Sequence, residues 1–194
     1  MALIIGNNTP EGAPPLLGGI DKDTIEGRQG GDTIDGGAKG DDLFGQSGAD
    51  LIFGENGGDS IEGGNNDDEL YGGNGNDTLD GGNGDDELNG RAGFDQLEYI
   101  VDNTSAAGND TIFDFIPGED VINLGTFGTF ADLDTNGDNK LNNQDTYVTK
   151  IGDETTIDVG AAFGFAAGTE TLLIDVDGPN PNRALDVNDF IFVA

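Results

Sequence analysis

Residues 18–98 read, in blocks of nine, GGIDKDTIE GRQGGDTID GGAKGDDLF GQSGADLIF GENGGDSIE GGNNDDELY GGNGNDTLD GGNGDDELN GRAGFDQLE. Every block has Gly at its first position, Asp at its sixth and Ile or Leu at its eighth. The nine sixth-position aspartates are Asp23, Asp32, Asp41, Asp50, Asp59, Asp68, Asp77, Asp86 and Asp95. A flexible Gly-rich linker has no reason to keep an aliphatic residue in strict register, so these columns indicate a repeating structural unit.

Each block predicts a six-residue loop followed by a three-residue strand. In Glu69-Leu70-Tyr71 the side chains alternate between faces, so the aliphatic residue points inward and its neighbours outward. Glycines at the first, second and fourth positions allow positive φ and let the loop coil with its carbonyls turned inward. Carbonyls together with a carboxylate suit a hard cation that takes many oxygens, calcium before magnesium. The blocks moreover match the pattern G-G-x-G-x-D-x-U-x, an established signature of calcium-binding parallel β-helices.

The predicted fold is all-β: a right-handed parallel β-roll followed by a β-rich C-terminal cap. Two blocks form one turn, so loops two blocks apart stack on the same edge. One edge is expected to carry Asp23, Asp41, Asp59, Asp77 and Asp95, and the other Asp32, Asp50, Asp68 and Asp86. One calcium between each pair of stacked loops gives four sites and three sites, about seven in all, with the terminal ones weakest. Without calcium the repeats are expected to be disordered, because stacked carboxylates repel one another.

Three blocks depart from the repeat at its fourth position, where Gly is replaced. The fourth position is Asp21, Lys39 and Asn66 in three blocks. Asn and Asp tolerate left-handed geometry, whereas Lys39 is not expected to do so and also brings a positive charge to a cation site.

Apolar residues at outward positions are a second departure. Leu51, Phe53 and Tyr71 fall on one outer face in adjacent layers. Either another part of the chain covers this patch, or it is a contact surface for a partner or a second copy.

Composition narrows the classes of function. The chain has 39 Asp and Glu against 7 Lys and Arg, a net charge of −32. This charge disfavours binding to nucleic acid and to anionic membranes, because both need basic patches. No apolar run is long enough for a membrane span, and the amino terminus lacks the features of a cleavable signal peptide. The chain has no Cys and no His, which excludes disulfides and thiolate or imidazole metal sites.

The regions outside the repeats are expected to close the roll. Residues 1–17 are predicted to cap its first turn, with an anchor or partner-binding tail as the alternative. Residues 99–194 are predicted to be a β-rich module. Its expected strands are 109–116, 121–124, 146–151, 154–159, 170–176 and 189–193, with turns at 117–120 and 152–153.

A second metal motif lies at residues 134–145, which match the twelve-residue EF-hand loop. The expected ligands are Asp134, Asn136 and Asp138 through side chains, Lys140 through its carbonyl, and Asp145 at the closing position. The flanks are poor helix formers, so we expect a calcium loop without a full helix pair. The alternative is a turn rich in Asx residues.

The repeats resemble the repeats-in-toxin (RTX) family of hemolysin-type calcium-binding proteins, whose fold is the parallel β-roll. Residues 108–124 are similar to the module that follows the roll in serralysin-type proteases, and the 134–145 loop resembles the dockerin variant with Asp at its end. In the RTX family the sixth-position Asp binds calcium together with loop carbonyls. The resemblance also implies type I secretion, with export unfolded and folding in extracellular calcium. Residues 189–194 are similar to the uncleaved C-terminal signal of that pathway, and the alternative is an edge strand.

Two functions remain open. The first is a secreted, calcium-folded structural, matrix or cell-surface protein. The second is a calcium-dependent carrier or polysaccharide-binding module of a type I secreted enzyme or adhesin. The Met1-Ala2-Leu3 start favours a free-standing protein. No enzyme is expected, because the chain has neither a zinc-binding His nor a G-x-S-x-G elbow. Outward Thr residues are too few for an ice-binding array.

Overall fold

A computed structural model describes residues 2–6, 14–99, 108–124, 140–141, 148–151, 154–158, 171–176, 185–186 and 189–191. The repeat strands are six residues long rather than three, as in Glu69–Asn74. They are longer because the second and third positions of the next block also pair across layers, as Gly73 does with Arg91. No helix of the described residues is long and apolar enough to cross a membrane.

In the described part of the chain, the first sheet has eight strands, all parallel. In spatial order they are β1 (Leu3–Ile5), β3 (Thr24–Gln29), β5 (Asp42–Ser47), β7 (Ser60–Asn65), β9 (Thr78–Asn83), β11 (Gln96–Glu98), β13 (Val121–Asn123) and β19 (Phe190–Ile191). The strands that precede and follow the repeats therefore belong to the same sheet as the repeats.

The second sheet has nine strands among the described residues, and its last two pairings, β17 with β16 and β16 with β15, are antiparallel. In spatial order they are β2 (Leu16–Gly19), β4 (Thr33–Ala38), β6 (Leu51–Asn56), β8 (Glu69–Asn74), β10 (Glu87–Ala92), β12 (Asn109–Phe115), β17 (Thr171–Val176), β16 (Glu154–Asp158) and β15 (Val148–Ile151). A separate antiparallel pair joins β14 (Lys140–Leu141) and β18 (Leu185–Asp186). The predicted all-β parallel solenoid is confirmed, with about five turns in the repeats.

The core is a double column of aliphatic side chains between the two sheets. Residues in neighbouring repeat strands pair at a spacing of 18 positions, as Ile25 does with Leu43 and Ile34 with Ile52. All the eighth-position residues are at most 2% exposed: Ile25, Ile34, Leu43, Ile52, Ile61, Leu70, Leu79, Leu88 and Leu97. One aliphatic per block suffices because each is covered by the residues above and below it as well as by the facing sheet.

The sheets continue past Glu98 although the nine-residue period ends there. Ile112 pairs with Leu88 and Ile122 with Leu97, so both extend the aliphatic columns. Ile112 and Ile122 are at most 1% exposed. The first part of the C-terminal region therefore adds layers to the roll.

On the outer face of the second sheet, Phe53 and Tyr71 stack with ring centroids 5.1 Å apart. The guanidinium carbon of Arg91 lies 4.8 Å from the centroid of Tyr71, on the next strand. Leu51, Phe53 and Tyr71 are all half-buried. The predicted outer patch is thus a packed column along the sheet.

Candidate metal centre

The sixth-position aspartates form two columns, one along each loop edge of the solenoid. In each column the backbone N–H of one Asp donates a hydrogen bond of 2.6–2.9 Å to Oδ1 of the Asp two blocks later. The first column is Asp23, Asp41, Asp59, Asp77 and Asp95, and the second is Asp32, Asp50, Asp68 and Asp86. All nine are at most 7% exposed. The structure brings the aspartates together in the two groups that the sequence predicts.

The second carboxylate oxygen, Oδ2, of most of these residues lacks a hydrogen-bond partner. Within the described part of the chain, a buried Oδ2 has no hydrogen-bond partner in Asp32, Asp41, Asp50, Asp59, Asp68, Asp77, Asp86 and Asp95. A buried charged oxygen without a partner is unfavourable by several kcal/mol, so eight such atoms in regular columns indicate that something else compensates them. A divalent cation is the group that fits a column of half-satisfied carboxylates.

First-position glycines leave room for these oxygens. A Cβ added to Gly54 would lie 2.6 Å from Oδ2 of Asp59 and 2.5 Å from the carbonyl oxygen of Gly72. Carbonyl and carboxylate oxygens therefore gather beside a Cα that carries no side chain. These glycines do not have positive φ, so the left-handed geometry that Gly allows is not used at the first position. Close approach of neighbouring oxygens requires Gly there.

Left-handed backbone occurs at the second and fourth positions, whether or not the residue is Gly. At the second position Arg28, Gln46, Glu55 and Arg91 have φ between 67° and 86°. At the fourth position Lys39 has φ of 71°, which corrects the expectation that it would not tolerate this conformation. Strand pairing on both sides of the loop imposes the geometry, at a cost of about 1–2 kcal/mol for a non-Gly residue.

The charge of Lys39 does not enter the aspartate columns. Its Nζ lies 3.0 Å from Oδ1 of Asp21, and both side chains are more than 60% exposed. A parallel pair joins Nζ of Lys22 to Oδ1 of Asp42 at 2.9 Å. Both lysines therefore pair with aspartates outside the two columns, Lys39 with Asp21 and Lys22 with Asp42.

Burial makes the central aspartates weak acids in the metal-free roll. It raises the pKa of Asp59 to about 7 and the pKa of Asp68 to about 8, with neighbouring carboxylates adding to the effect. It also raises the pKa values of Asp50, Asp77 and Asp86 to about 6. Protons and cations therefore compete for the same buried oxygens.

Acidic side chains alone do not make the site. Among the described residues, no three carboxylates converge to a point where they could hold one ion together. Calcium takes six to eight oxygens, so loop carbonyls must supply most of the ligands beside one or two aspartates. This agrees with the carbonyl-and-carboxylate loop that the sequence predicts.

Two further aspartates join the columns, and the sequence reasoning missed them. The N–H of Asp86 donates to Oδ1 of Asp110 at 3.1 Å, and the N–H of Asp95 donates to Oδ1 of Asp120 at 3.0 Å. The signal that could have found them is the half-motif G-x-D-x-I, present at residues 108–112 and 118–122.

The EF-hand-like loop cannot be placed beside these columns. Asp134, Asn136, Asp138 and Asp145 lie outside the described residues, and Lys140 is described only through its backbone in β14. Its calcium site stays a prediction. The edge-strand alternative for the C-terminal hexapeptide holds for Phe190 and Ile191, which form β19.

A parallel solenoid whose loop edges carry buried, half-satisfied carboxylates belongs to the class of cation-binding β-rolls. Four copies of the RTX calcium-binding nonapeptide repeat match residues 17–38, 26–61, 35–70 and 62–97. Residues 17–97 are thus similar to the RTX calcium-binding nonapeptide repeats. These repeats bind calcium, are typical of secreted proteins, and form a structural module that is not catalytic by itself.

Solved structures similar to the chain include an extracellular lipase, LipA from Serratia marcescens, with 16% identity and a TM-score of 0.41. The match covers 98% of this chain and 40% of the lipase, so the chain spans less than half of that protein. A second is the AlgE6R3 subunit of the mannuronan C5-epimerase of Azotobacter vinelandii, with 22% identity and a TM-score of 0.40 over 94% of this chain and 84% of that one. A search of curated proteins finds no significant match.

Proposed function

We propose that the chain is a secreted calcium-binding protein whose roll folds when calcium enters its loops, with a structural, matrix or cell-surface role. The observation that carries the proposal is the set of eight buried Oδ2 atoms without a partner in the described residues. Divalent cations bound between layers would neutralise them and join each loop to the loop one turn away. Calcium is the ion that the repeat family binds.

About seven ions would bind, one between each adjacent pair in the two repeat columns. The proposed carboxylate ligands are Asp23, Asp32, Asp41, Asp50, Asp59, Asp68, Asp77, Asp86 and Asp95. Seven divalent ions would offset about 14 of the 32 net negative charges. The remaining charge keeps the exported chain soluble.

The resemblance to the RTX repeats supports secretion as part of this proposal. Inside a cell calcium is scarce, and the acidic, Gly-rich repeats would stay unfolded and suited to type I export. Outside, calcium would fold them, so export and folding form one switch. We assign no catalytic activity to the chain, which contains no His and no Cys.

The test is a calcium titration of the metal-free chain followed by far-UV circular dichroism, with bound calcium counted by equilibrium dialysis. We expect a cooperative gain of β-structure and about seven ions or more per chain. Magnesium at the same concentration serves as the control and should give little folding, since it keeps its own waters. A chain that is fully folded in chelator would contradict the proposal.

We propose one further calcium in the loop at residues 134–145, held by Asp134, Asn136, Asp138, Asp145 and the carbonyl of Lys140. Asp134→Ala should remove one bound ion. If the roll still folds at the same calcium concentration, the two metal systems are independent. Unchanged stoichiometry would mean that the loop is an Asx-rich turn.

A second candidate function is polysaccharide binding, favoured by the column of Phe53, Tyr71 and Arg91 on the outer face of the second sheet. Aromatic faces stack on sugar rings, and a guanidinium pairs with acidic groups. Calorimetry against an acidic polysaccharide in calcium tests whether this surface binds it. Tyr71→Ala should give less heat than the parent chain. Equal heats for the two proteins would exclude this surface as the site.

A further inference from the structure

The chain between Tyr99 and Leu124 reuses the second half of the nonapeptide twice. Residues 108–112 are Gly-Asn-Asp-Thr-Ile and residues 118–122 are Gly-Glu-Asp-Val-Ile. In both, the Gly has positive φ, 91° and 87°, as do fourth-position glycines of the repeats. The aspartates of the two segments, Asp110 and Asp120, are buried and each extends one column, but their carboxylates accept different hydrogen bonds.

Asp110 repeats the arrangement found inside the roll. It is 3% exposed, and its Oδ1 accepts the N–H of Asp86. The loop before it is also in register, since the N–H of Asn109 donates to Oδ1 of Asp85 at 2.9 Å and Gly108 approaches the carbonyl of Gly84 too closely to carry a side chain. In the described part of the chain, the bond from Asp86 is the hydrogen bond that this carboxylate receives.

The layer below Asp110 presents a complementary atom. Asp86 is 1% exposed, and its Oδ2 has no partner among the described residues. Asp86 and Asp110 share with Asp68 and Asp86 one N–H to Oδ1 bond across the layers. Oδ2 of Asp95, below Asp120, is likewise without a partner among the described residues, so the two edges differ in the carboxylates of Asp110 and Asp120.

Asp120 ends the other column in a different way. Its Oδ1 accepts the N–H of Asp95, and its Oδ2 accepts the N–H of Ile116 at 2.7 Å. The turn that supplies this second donor is closed by the N–H of Asp120 itself, which donates to the carbonyl of Ile116 at 2.9 Å. Both carboxylate oxygens of Asp120 thus accept hydrogen bonds from peptide N–H groups.

We propose that the roll holds an additional calcium between Asp86 and Asp110, outside the nonapeptide repeats, while the turn around Asp120 closes the opposite column without a metal. This inference rests on the proposed calcium function of the repeats. It makes the two edges of the roll unequal: one gains a site beyond its repeats, and the other ends in a hydrogen-bonded cap.

The experiment compares Asp110→Asn and Asp120→Asn in the full chain, with bound calcium counted by equilibrium dialysis and metal analysis. Asp110→Asn should bind one calcium fewer than the parent, and Asp120→Asn the same number as the parent. A folded Asp110→Asn protein with the full number of ions would overturn the proposal, as would the loss of an ion from Asp120→Asn.

Crystals of the parent chain grown with calcium give a readout that does not depend on either variant folding. Anomalous scattering should show an ion between Asp86 and Asp110 and none between Asp95 and Asp120. The reverse pattern, or no ion at either place with ions present inside the repeats, would refute this inference alone. A parent chain that binds no calcium would instead refute the proposed function.

Discussion

The backbone N–H of Asp59 donates a 2.8 Å hydrogen bond to Oδ1 of Asp77, one turn of the solenoid later, while Oδ2 of each residue has no partner among the described residues. Each carboxylate is therefore half-satisfied by the protein. The peptide bond fixes its position, and the remaining oxygen needs a ligand that the described chain does not supply. Under the proposed function, the half-satisfied carboxylates of the two columns would link folding of the roll to calcium binding.

Replacing a ligand without changing its shape tests the columns directly. Asp59→Asn keeps the acceptor for the N–H of Asp41 but removes a charge from two adjacent sites. We expect the calcium concentration at the folding midpoint to rise about tenfold or more, equivalent to about 1.4 kcal/mol. Glu62→Gln, on the exposed outer face of the same block, is the control and should shift the midpoint less than about twofold.

Glycine at the first position is predicted to be required for space. A Cβ at Gly54 would lie 2.5 Å from a carbonyl oxygen and 2.6 Å from a carboxylate oxygen, whereas at Gly58 of the same block the nearest heavy atom is 3.1 Å away. Gly54→Ala should lower the free energy of unfolding in calcium by about 3 kcal/mol, and Gly58→Ala by about 1 kcal/mol or less. Denaturant melts measure both, and equal losses would show that crowding at the first position is not the cause.

Lys39 offers a stabilising substitution. It occupies a left-handed fourth position with φ of 71°, and its ion pair with Asp21 is exposed and worth little. Lys39→Gly should raise the free energy of unfolding by about 1 kcal/mol, because the backbone strain is relieved. Lys39→Ala loses the same ion pair but keeps a Cβ, so it should show no such gain. A lower stability for Lys39→Gly than for Lys39→Ala would contradict this reasoning.

Acid should stabilise the metal-free roll. Burial raises the folded-state pKa of Asp59 to about 7 and that of Asp68 to about 8, above the unfolded value of 3.8. A raised pKa stabilises the fold fully below the unfolded value, and this contribution is lost as the pH rises through the folded value. In chelator, circular dichroism should therefore show more β-structure near about pH 4.5 than near about pH 8.5. In calcium the trend reverses, since protons displace the ion. Equal metal-free spectra at the two pH values would count against buried carboxylates.

The fold of the repeat region could be predicted almost completely, because each nine-residue repeat specifies both a strand and a loop. The alternation of side chains along each strand predicts that Leu70 points inward, as observed. The two-block turn predicts that Asp59 and Asp68 lie on opposite edges, also as observed. The strand length was missed because the residues just after each first-position Gly, such as Gly73, pair between layers, which periodicity does not reveal.

The layers beyond the repeats could not be predicted by counting in nines. Asp110 follows Asp86 by 24 residues and Asp120 follows Asp95 by 25, so a fixed period skips both. Their place in the columns depends on strand pairing through Ile112 and Ile122, which only the three-dimensional arrangement shows. Likewise, the positive φ of Arg28 and Lys39 is imposed by neighbouring layers against local preference.

The most direct test of the central claim is amide hydrogen exchange of the full chain near about pH 8, with calcium and with excess chelator. In calcium, strands β3 to β11 should be protected as one cooperative unit. In chelator, the same amides should exchange at the rates of an unfolded chain. A protected β3–β11 core in chelator, with a cooperative melt, would contradict the claim that cations hold the layers together.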